Sequence, residues 1–416
     1  MPRSGWLKPD SDRRLSDVVS VGLLTRVFPP VLVDEVIAGA GRTELRKRAL
    51  PARVVAYFAV GMALFSDGSY EDVFAQLTDG LSWSSRWRES FVAPSKSAIF
   101  QARVRLGYEA VEALFRRVAV PLATDATPGA WCGSRRVVAI DGTCLDVADT
   151  PENSTFFGRP GVNKGEKAAF PMARVVAIAE CGTHAVFDAA VGAYGVSETV
   201  LAREVIDRLQ PGMLLLADRS FYGYGLWQRA AATGADLLWR MRSTQRLDPI
   251  EILPDGSYLS RLYDQVLKRR GPGILVRVID YTIDDGRSND NEYQLITTIL
   301  DPADVTAEDL ALAYAQRWEL ESTFDELKTH QRGPKAVLRS KSPDLVLQEI
   351  WGHLCCHYAI RTLMWEAAAH TSTDPDRVSF IAALRRPTPH PPIHRPQGRL
   401  FPLTTETATG STPSAS

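Results

Sequence analysis

The chain has 416 residues, of which 45% are hydrophobic, 9% aromatic and 23% charged, and its formal net charge is −1. That length holds two or three domains with a substantial core, and the balanced charge excludes a nucleic-acid binder working by bulk positive charge, though not one with local cationic patches. Apolar runs such as Met213 to Ala217 are too short to cross a bilayer, the N-terminus lacks a signal-peptide core, and five cysteines without CxxC or framework spacing fit a reducing cytosol.

Residues 1–125 read as an all-helical front end. From Leu50 to Leu77 apolar residues recur at helical spacing, broken at Asp67-Gly68-Ser69. A second helical run starts near Pro94-Ser95, with Ser95 or Ser97 as N-cap. Lys96, Gln101, Arg103 and Arg105 on these short helices suit a helix-turn-helix, or equally a plain bundle with solvated basic residues. Thr124 to Ser134 is turn-rich and marks a boundary.

Arg136 to Ile140 is a β-branched run that leads into Asp141-Gly142-Thr143, with Cys144 to Ala148 as the next strand of a hairpin. A strand ending in an aspartate presents its carboxylate at the sheet edge where α/β proteins bind ligands; a simple Asp-Gly turn is the alternative. Arg159 and Lys164 sit in a glycine-rich loop, able to reach a phosphate backbone. Two more strands, 173–179 and 184–191, precede an amphipathic helix stopped at Pro211-Gly212. Met213 to Ala217 is a buried central strand that ends in a second aspartate, Asp218, followed by Arg219. A helix and a further strand follow, the latter ending at Arg240 and Arg242; Trp239 reads, like Trp83, Trp87 and Trp351, as a core residue, with stacking on a displaced base as its alternative role. If the two aspartate-bearing strands are neighbours, their carboxylates need a cation, and an oxygen-only set points to Mg²⁺ or Mn²⁺ and away from zinc.

Residues 244–302 are β-rich, with two runs, 273–283 and 291–300, joined by a polar turn. A helix is expected from Thr306, whose partner Asp309 completes a capping box, to Lys328. At 100° per residue, Tyr314, Arg317, Glu321 and Lys328 share one wedge of about 60°, while Glu319 and Glu326 point the other way. Such a face suits a groove holding a metal and phosphates; surface ion pairs are the plainer alternative. Further on, His353, Cys355, Cys356 and His357 look like a metal cluster, but their placement fits a buried helix better. After Arg386 the chain turns rich in Pro, Thr and Ser, and residues 385–416 are expected to be disordered.

Tyr314, Arg317, Glu321 and Lys328 at spacings of three, four and seven, with Asp141 before Gly-Thr and Asp218 opening Asp-Arg-Ser-Phe-Tyr, resemble the DDE transposases of the insertion sequence 4 type. Ser220 departs from the family's usual glycine. The resemblance runs from about residue 15 to 384 and implies a ribonuclease-H-like α/β catalytic domain (126–243 and 303–384) interrupted by the β-rich insertion 244–302, behind a helical, DNA-binding domain 1–125. It implies that Asp141, Asp218 and Glu321 hold two Mg²⁺ (or Mn²⁺) ions. Those ions would activate a water or 3′-hydroxyl and stabilise the leaving oxygen of an in-line displacement. Tyr314, Arg317 and Lys328 would contact phosphate, with Arg219, Arg240, Arg242, Arg159 and Lys164 as further DNA contacts. Excision at terminal inverted repeats, strand transfer, a homodimer on double-stranded DNA, no membrane and a cytoplasmic, nucleoid-associated location follow from the same resemblance. The alternatives are a DNA-binding relic, suggested by the changed C-terminus, and another ribonuclease-H-like endonuclease, against which the β-rich insertion and the motif spacing count.

Overall fold

The computed structural model describes residues 22–383 except 23, 45, 47–49, 67, 85–93, 162–168, 243–244, 246, 265–270, 272, 283–291, 332–336, 372 and 381–382. Lys164 and the tail 385–416 therefore lie outside the described residues. All described residues fall within one compact unit, Met1–Arg386.

Among the described residues the front helices include α1 (Pro30–Gly39), α2 (Ala52–Leu64), α3 (Tyr70–Ser84), α4 (Lys96–Leu106) and α5 (Glu109–Val118). The Ser95 hydroxyl caps α4 by accepting the Ala98 N–H at 3.3 Å, and Gly107 ends it at φ 75°, a value suited to glycine. Nine consecutive residues of α2, Val55 to Ala63, are buried, so this helix is covered on all sides. Arg103 is not the DNA-facing residue the helix-turn-helix reading needs. It is 1% exposed and donates to Gln348 (2.8 Å), Tyr70 (3.0 Å), Ser340 (3.0 Å) and the Leu345 carbonyl (3.1 Å).

Behind these helices runs a ten-stranded sheet: β1 (Trp131–Cys132), β2 (Arg135–Asp146), β3 (Met172–Glu180), β4 (Val186–Ala193), β5 (Met213–Ala217), β6 (Asp236–Arg240), β7 (Glu251–Ile252), β8 (Tyr258–Leu262), β9 (Ile274–Thr282) and β10 (Glu292–Thr297). Their order is β4-β3-β2-β5-β6-β10-β9-β8-β7, with β1 beside β2. Strands β2, β5 and β6 are parallel; β2–β3, β3–β4 and β6–β10 are antiparallel. Helices α6 (Pro151–Phe157), α7 (Glu198–Val205) and α8 (Tyr224–Ala231) lie between strands in the chain. All five residues of β5 are buried, as a parallel strand covered on both faces requires.

Two expectations are corrected here. Asp141-Gly142 is not a turn: β2 runs unbroken for 12 residues, and Asp141 pairs with Ala177 of β3. The long antiparallel partner β3 outweighs the turn preference of the dipeptide. Trp239 cannot stack on a base, because it is wholly buried with its ring edge-on to Trp227 at 5.2 Å.

The last helices are α9 (Ala307–Ala315), α10 (Trp318–Asp325) and the 29-residue α11 (Pro343–Thr371), followed by a short 3₁₀ turn, Pro375–Arg377. Helix α11 is buried continuously from Leu345 to Arg361 and packs against α2 and α5. Gly352 permits the closest approach: a Cβ there would lie 2.4 Å from the Ala59 carbonyl oxygen. Its polar residues have partners, as burial demands. Gln348 donates to the Arg103 and Gly107 carbonyls at 3.0 and 2.8 Å, and the Glu349 carboxylate accepts the Arg339 and Ser340 N–H groups. His357 and Arg361 meet Glu326 at 3.0 and 2.9 Å. The His353–His357 segment is thus a buried helix, with all five cysteines of the chain free. Among the described residues, no helix is long and apolar enough to cross a membrane.

Although burial alone would raise the Glu326 carboxyl, hydrogen bonds from His184 and His357 and the charge of Arg361 hold it far below its usual 4.5. A depressed carboxylate stabilises the fold above its unfolded pKa, and that contribution is lost as pH falls below it. Glu326→Gln is expected to cost about 3 kcal/mol at neutral pH. It is also expected to flatten the loss of stability on acidification below about pH 4.5, as read from denaturation midpoints across pH.

Candidate active site

The last parallel pair between β2 and β5 is Ile140 with Ala217. The next residue on each strand is an aspartate, so Asp141 and Asp218 stand on adjacent strands with their backbones about 5 Å apart. Each side chain accepts the following N–H: Gly142 to Asp141 at 2.7 Å, Arg219 to Asp218 at 2.6 Å.

The third carboxylate arrives from the helical end. Thr306 caps α9 as expected, accepting the Asp309 N–H at 3.1 Å. The expected single helix to Lys328 is interrupted, however. At Gln316-Arg317 the bonds become i to i−3: Gln316 to Ala313 (3.1 Å), Arg317 to Tyr314 (3.1 Å) and Leu320 to Arg317 (3.1 Å). After α10 a π-helical turn, Glu326–His330, follows, so the regular 100° wheel does not hold along the motif.

Arg317, at this break, is buried, 7% exposed. Its guanidinium reaches Glu321 at 3.0 Å and Asp141 at 3.5 Å. Burial alone would lower the Arg317 pKa, but Tyr314, Glu321, Asp218 and Asp141 together raise it. Asp141 and Glu321 therefore share one guanidinium, on which the charge of Asp218 also acts, although the three are scattered along the sequence. Tyr314 is buried, with its hydroxyl directed at the Ala217 carbonyl at 3.4 Å, and burial pushes its phenol well up. This hydroxyl braces the end of β5 and is not presented to a phosphate, contrary to the sequence expectation.

A fourth carboxylate escaped sequence reasoning. Glu198, at the start of α7, pairs with Arg174 at 3.0 Å and approaches Gly142 so closely that a Cβ there would lie 2.7 Å from it. Only a glycine on β2 leaves that space, and no local spacing links residue 198 to 141. Burial raises the Asp141 carboxyl to about 6; the Gly142 N–H and Arg317 oppose this, while Glu198 and Glu321 add to it. A pocket with hard oxygen donors and a carboxylate this reluctant to ionise fits a divalent cation of the Mg²⁺ class.

The remaining candidates separate. Arg219 and Arg242 are exposed at the rim, Arg242 donating to the Arg219 carbonyl at 3.4 Å. A cleft of about 430 Å³ lined by Arg174, Glu198, Ser220 and Arg242 continues from there. Half-buried Lys328 acts on the Cys144 thiol, which burial pushes up and Arg174 and Lys328 pull down. Arg159 does not join the pocket: it donates to the Ala169 carbonyl at 2.6 Å and to Ser154 at 3.1 Å, and pairs with Asp149. A short loop closed on itself uses up its donors.

Comparison with known proteins places the chain in a family. A family model described as "Insertion element 4 transposase N-terminal" matches residues 18–116, and one described as "Transposase DDE domain" matches residues 133–359. The chain belongs to the insertion sequence 4 family of DDE transposases. It is 32% identical over 356 residues to the transposase InsG for insertion sequence element IS4 of Escherichia coli (strain K12), covering 84% of this chain and 78% of that one. It is 26% identical over 240 residues to InsZ of the same organism, covering 58% of this chain and 77% of that one. A cryo-EM structure of the piggyBac transposase synaptic complex with hairpin DNA is a more distant likeness, at 12% identity and TM-score 0.45 over 88% of this chain and 78% of that one. The protein is thus a transposase, an enzyme acting on DNA through a DDE domain of the divalent-metal-dependent kind, and neither alternative from the sequence is favoured.

Beside the transposase pocket lies an aromatic wall that the sequence did not reveal. A cavity of about 490 Å³ is lined by Arg240, Tyr281, Tyr293, Tyr314, Arg317 and Trp318 among others. Arg240 lies over the Tyr293 ring at 4.1 Å, Tyr281 stacks on Tyr293 at 5.2 Å, and Trp318 is 62% exposed. Flat rings and guanidinium planes of this kind are chemically suited to unpaired bases, as the buried Trp239 is not. Trp318→Ala is expected to leave the melting temperature unchanged and to weaken binding of single-stranded DNA by about 1–3 kcal/mol, measured by fluorescence anisotropy.

Proposed function

We propose that this transposase cuts DNA at the terminal inverted repeats of its element and joins the ends to target DNA, with Asp141, Asp218 and Glu321 as the catalytic carboxylates. The observation that carries the reading is the Arg317 guanidinium bonded to Glu321 and Asp141 at the point where β2 and β5 part. The mixed sheet, antiparallel through β4-β3-β2 and parallel through β2-β5-β6, supports a ribonuclease-H-like core. In this reading residues 126–243 and 303–384 form the catalytic part, 244–302 the β-rich insertion, and 1–125 the DNA-binding front end.

Asp141, Asp218 and Glu321 would hold two Mg²⁺ or Mn²⁺ ions, which when bound supply an acidified water or 3′-hydroxyl and neutralise charge on the reacting phosphate. Arg317 orients Asp141 and Glu321 and balances their charge, and Lys328, whose charge reaches Cys144 on β2, is a further candidate phosphate contact. Tyr314 steadies Arg317 and the end of β5. Exposed Arg219 and Arg242, with Arg240 behind them, track the DNA backbone and exclude no base sequence. Two element ends must be joined together, which calls for a homodimer on DNA, and the substrate calls for a cytoplasmic, nucleoid-bound enzyme.

Glu321→Gln is expected to reduce Mg²⁺-dependent nicking of a terminal-repeat duplex by roughly 10²-fold or more while the circular dichroism spectrum is unchanged. Nicking at the wild-type rate would remove Glu321 from the ligand set. Arg242→Ala is expected to weaken duplex binding about equally for all sequences. Its plot of log affinity against log salt is expected to lose about one unit of slope, and an unchanged slope would place Arg242 off the DNA path.

A further inference from the structure

On the face of α10 turned away from Glu321, side chains from three distant segments meet. His184 stands in the turn between β3 and β4, Glu319 on α10, and Asp376 on the 3₁₀ turn after α11. One ligand atom from each lies within 4.8 Å of the others. His184 Nε2 is 3.2 Å from Asp376 Oδ1 and 3.8 Å from Glu319 Oε2. The residue is only 7% exposed, yet Nε2 makes no hydrogen bond, although it faces two carboxylates. Buried polar atoms are rarely left so, and each orphan calls for a reason.

We propose that His184, Glu319 and Asp376 form a second metal site, separate from the carboxylate pocket, that binds one divalent transition-metal ion, with zinc the best fit. One imidazole nitrogen and two carboxylate oxygens are a borderline donor set. Zinc accepts it readily, manganese lies below zinc in affinity, and magnesium favours oxygen alone. The other ring nitrogen, Nδ1, faces Glu326 Oε1 at 3.4 Å. Arg361 contacts both Glu326 and Nδ1, the latter at 2.5 Å, and keeps Glu326 anionic. A guanidinium only donates, so the Arg361 contact makes Nδ1 an acceptor and puts the ring proton on Nε2; metal binding would move that proton to Nδ1 and turn Arg361 wholly onto Glu326. A cleft of about 720 Å³ lined by His184, Glu319, Asp376 and Phe380, and reaching Glu321 at its edge, gives an ion access from solvent.

The consequence is mechanical. Glu319 is two residues from Glu321 and also accepts the Gly182 N–H, so the ion would clamp α10 to the β3–β4 turn and to the segment beyond α11, just past the break at Gln316-Arg317. The site stands whether or not the roles given to Asp141, Asp218 and Glu321 are right.

The test is zinc titration of the full chain, stripped with a chelator, in an Asp141→Asn, Asp218→Asn background that silences the other pocket. One equivalent of Zn²⁺ is expected to bind, unaffected by millimolar Mg²⁺, and to raise the melting temperature. Adding His184→Asn, chosen because asparagine tolerates the φ of 56° at this position, or Asp376→Asn is expected to weaken binding at least about tenfold. Cobalt in place of zinc is expected to show visible absorption bands that vanish with His184→Asn. Absence of a zinc equivalent, or zinc affinity indifferent to both substitutions, overturns the proposal. If the background variant does not fold, the same titration is run on the wild type with its other pocket saturated by Mg²⁺, with the same two outcomes.

Discussion

Several carboxylates gathered in a partly buried pocket repel one another, and everything around them must answer that repulsion. At 4 Å and an effective dielectric of 20, one such pair costs about 4 kcal/mol. Here Asp141, Asp218, Glu321 and Glu198 converge, and Arg317 and Arg174 supply the opposing charge from inside the protein. Arg317 stands at the irregular turn between α9 and α10, where the backbone bonds run i to i−3. Tyr314 completes the arrangement, since its hydroxyl touches the Ala217 carbonyl one residue before Asp218. The tyrosine and arginine of the motif therefore act on the geometry of the carboxylates.

That local geometry is held by a larger frame. Glu326, at the end of α10, is gripped by His357 and Arg361 of α11. Helix α11 is in turn buried against α2, with Gly352 allowing backbone contact, and is locked to α4 through Gln348 and Arg103. Removing one member of such a buried network leaves the others without partners, which makes the whole more cooperative than its single bonds suggest. The helical front end thus shares its core with the helix that backs the active site.

What could be read in the sequence was what depends on short range. The caps at Ser95 and Thr306, the apolar strand Met213 to Ala217 and the burial of Cys355 and Cys356 follow from residues close in the chain. So do the two aspartates after apolar runs. Long-range pairing decided the rest. Asp141-Gly142 carries a turn signal, yet β3 pairs straight through it. Arg103 looks like a surface cation, but a cavity rich in acceptors from residues 340–348 draws it inside. Glu198, and the meeting of His184 with Asp376, could not be foreseen because nothing near them in sequence marks a partner up to 192 residues away.

The sheet explains why the aromatic wall and the carboxylates can work as one surface. Strand β10 pairs with β6 in register, Leu295 opposite Arg240, and β9 pairs with β10, Tyr281 opposite Tyr293. The β-rich segment is therefore not an appendage on a hinge but a continuation of the strands that carry Asp141 and Asp218. A base held against Tyr281, Tyr293 or Trp318 would sit at a distance from the carboxylates that is fixed by hydrogen-bonded strands. On the other side, α10 divides its two faces between Glu321 toward the pocket and Glu319 toward His184 and Asp376. Any force that draws Glu319 toward those partners steadies the helix turn from which Glu321 projects, so the position of the third carboxylate depends on contacts made behind it as much as on the charges in front.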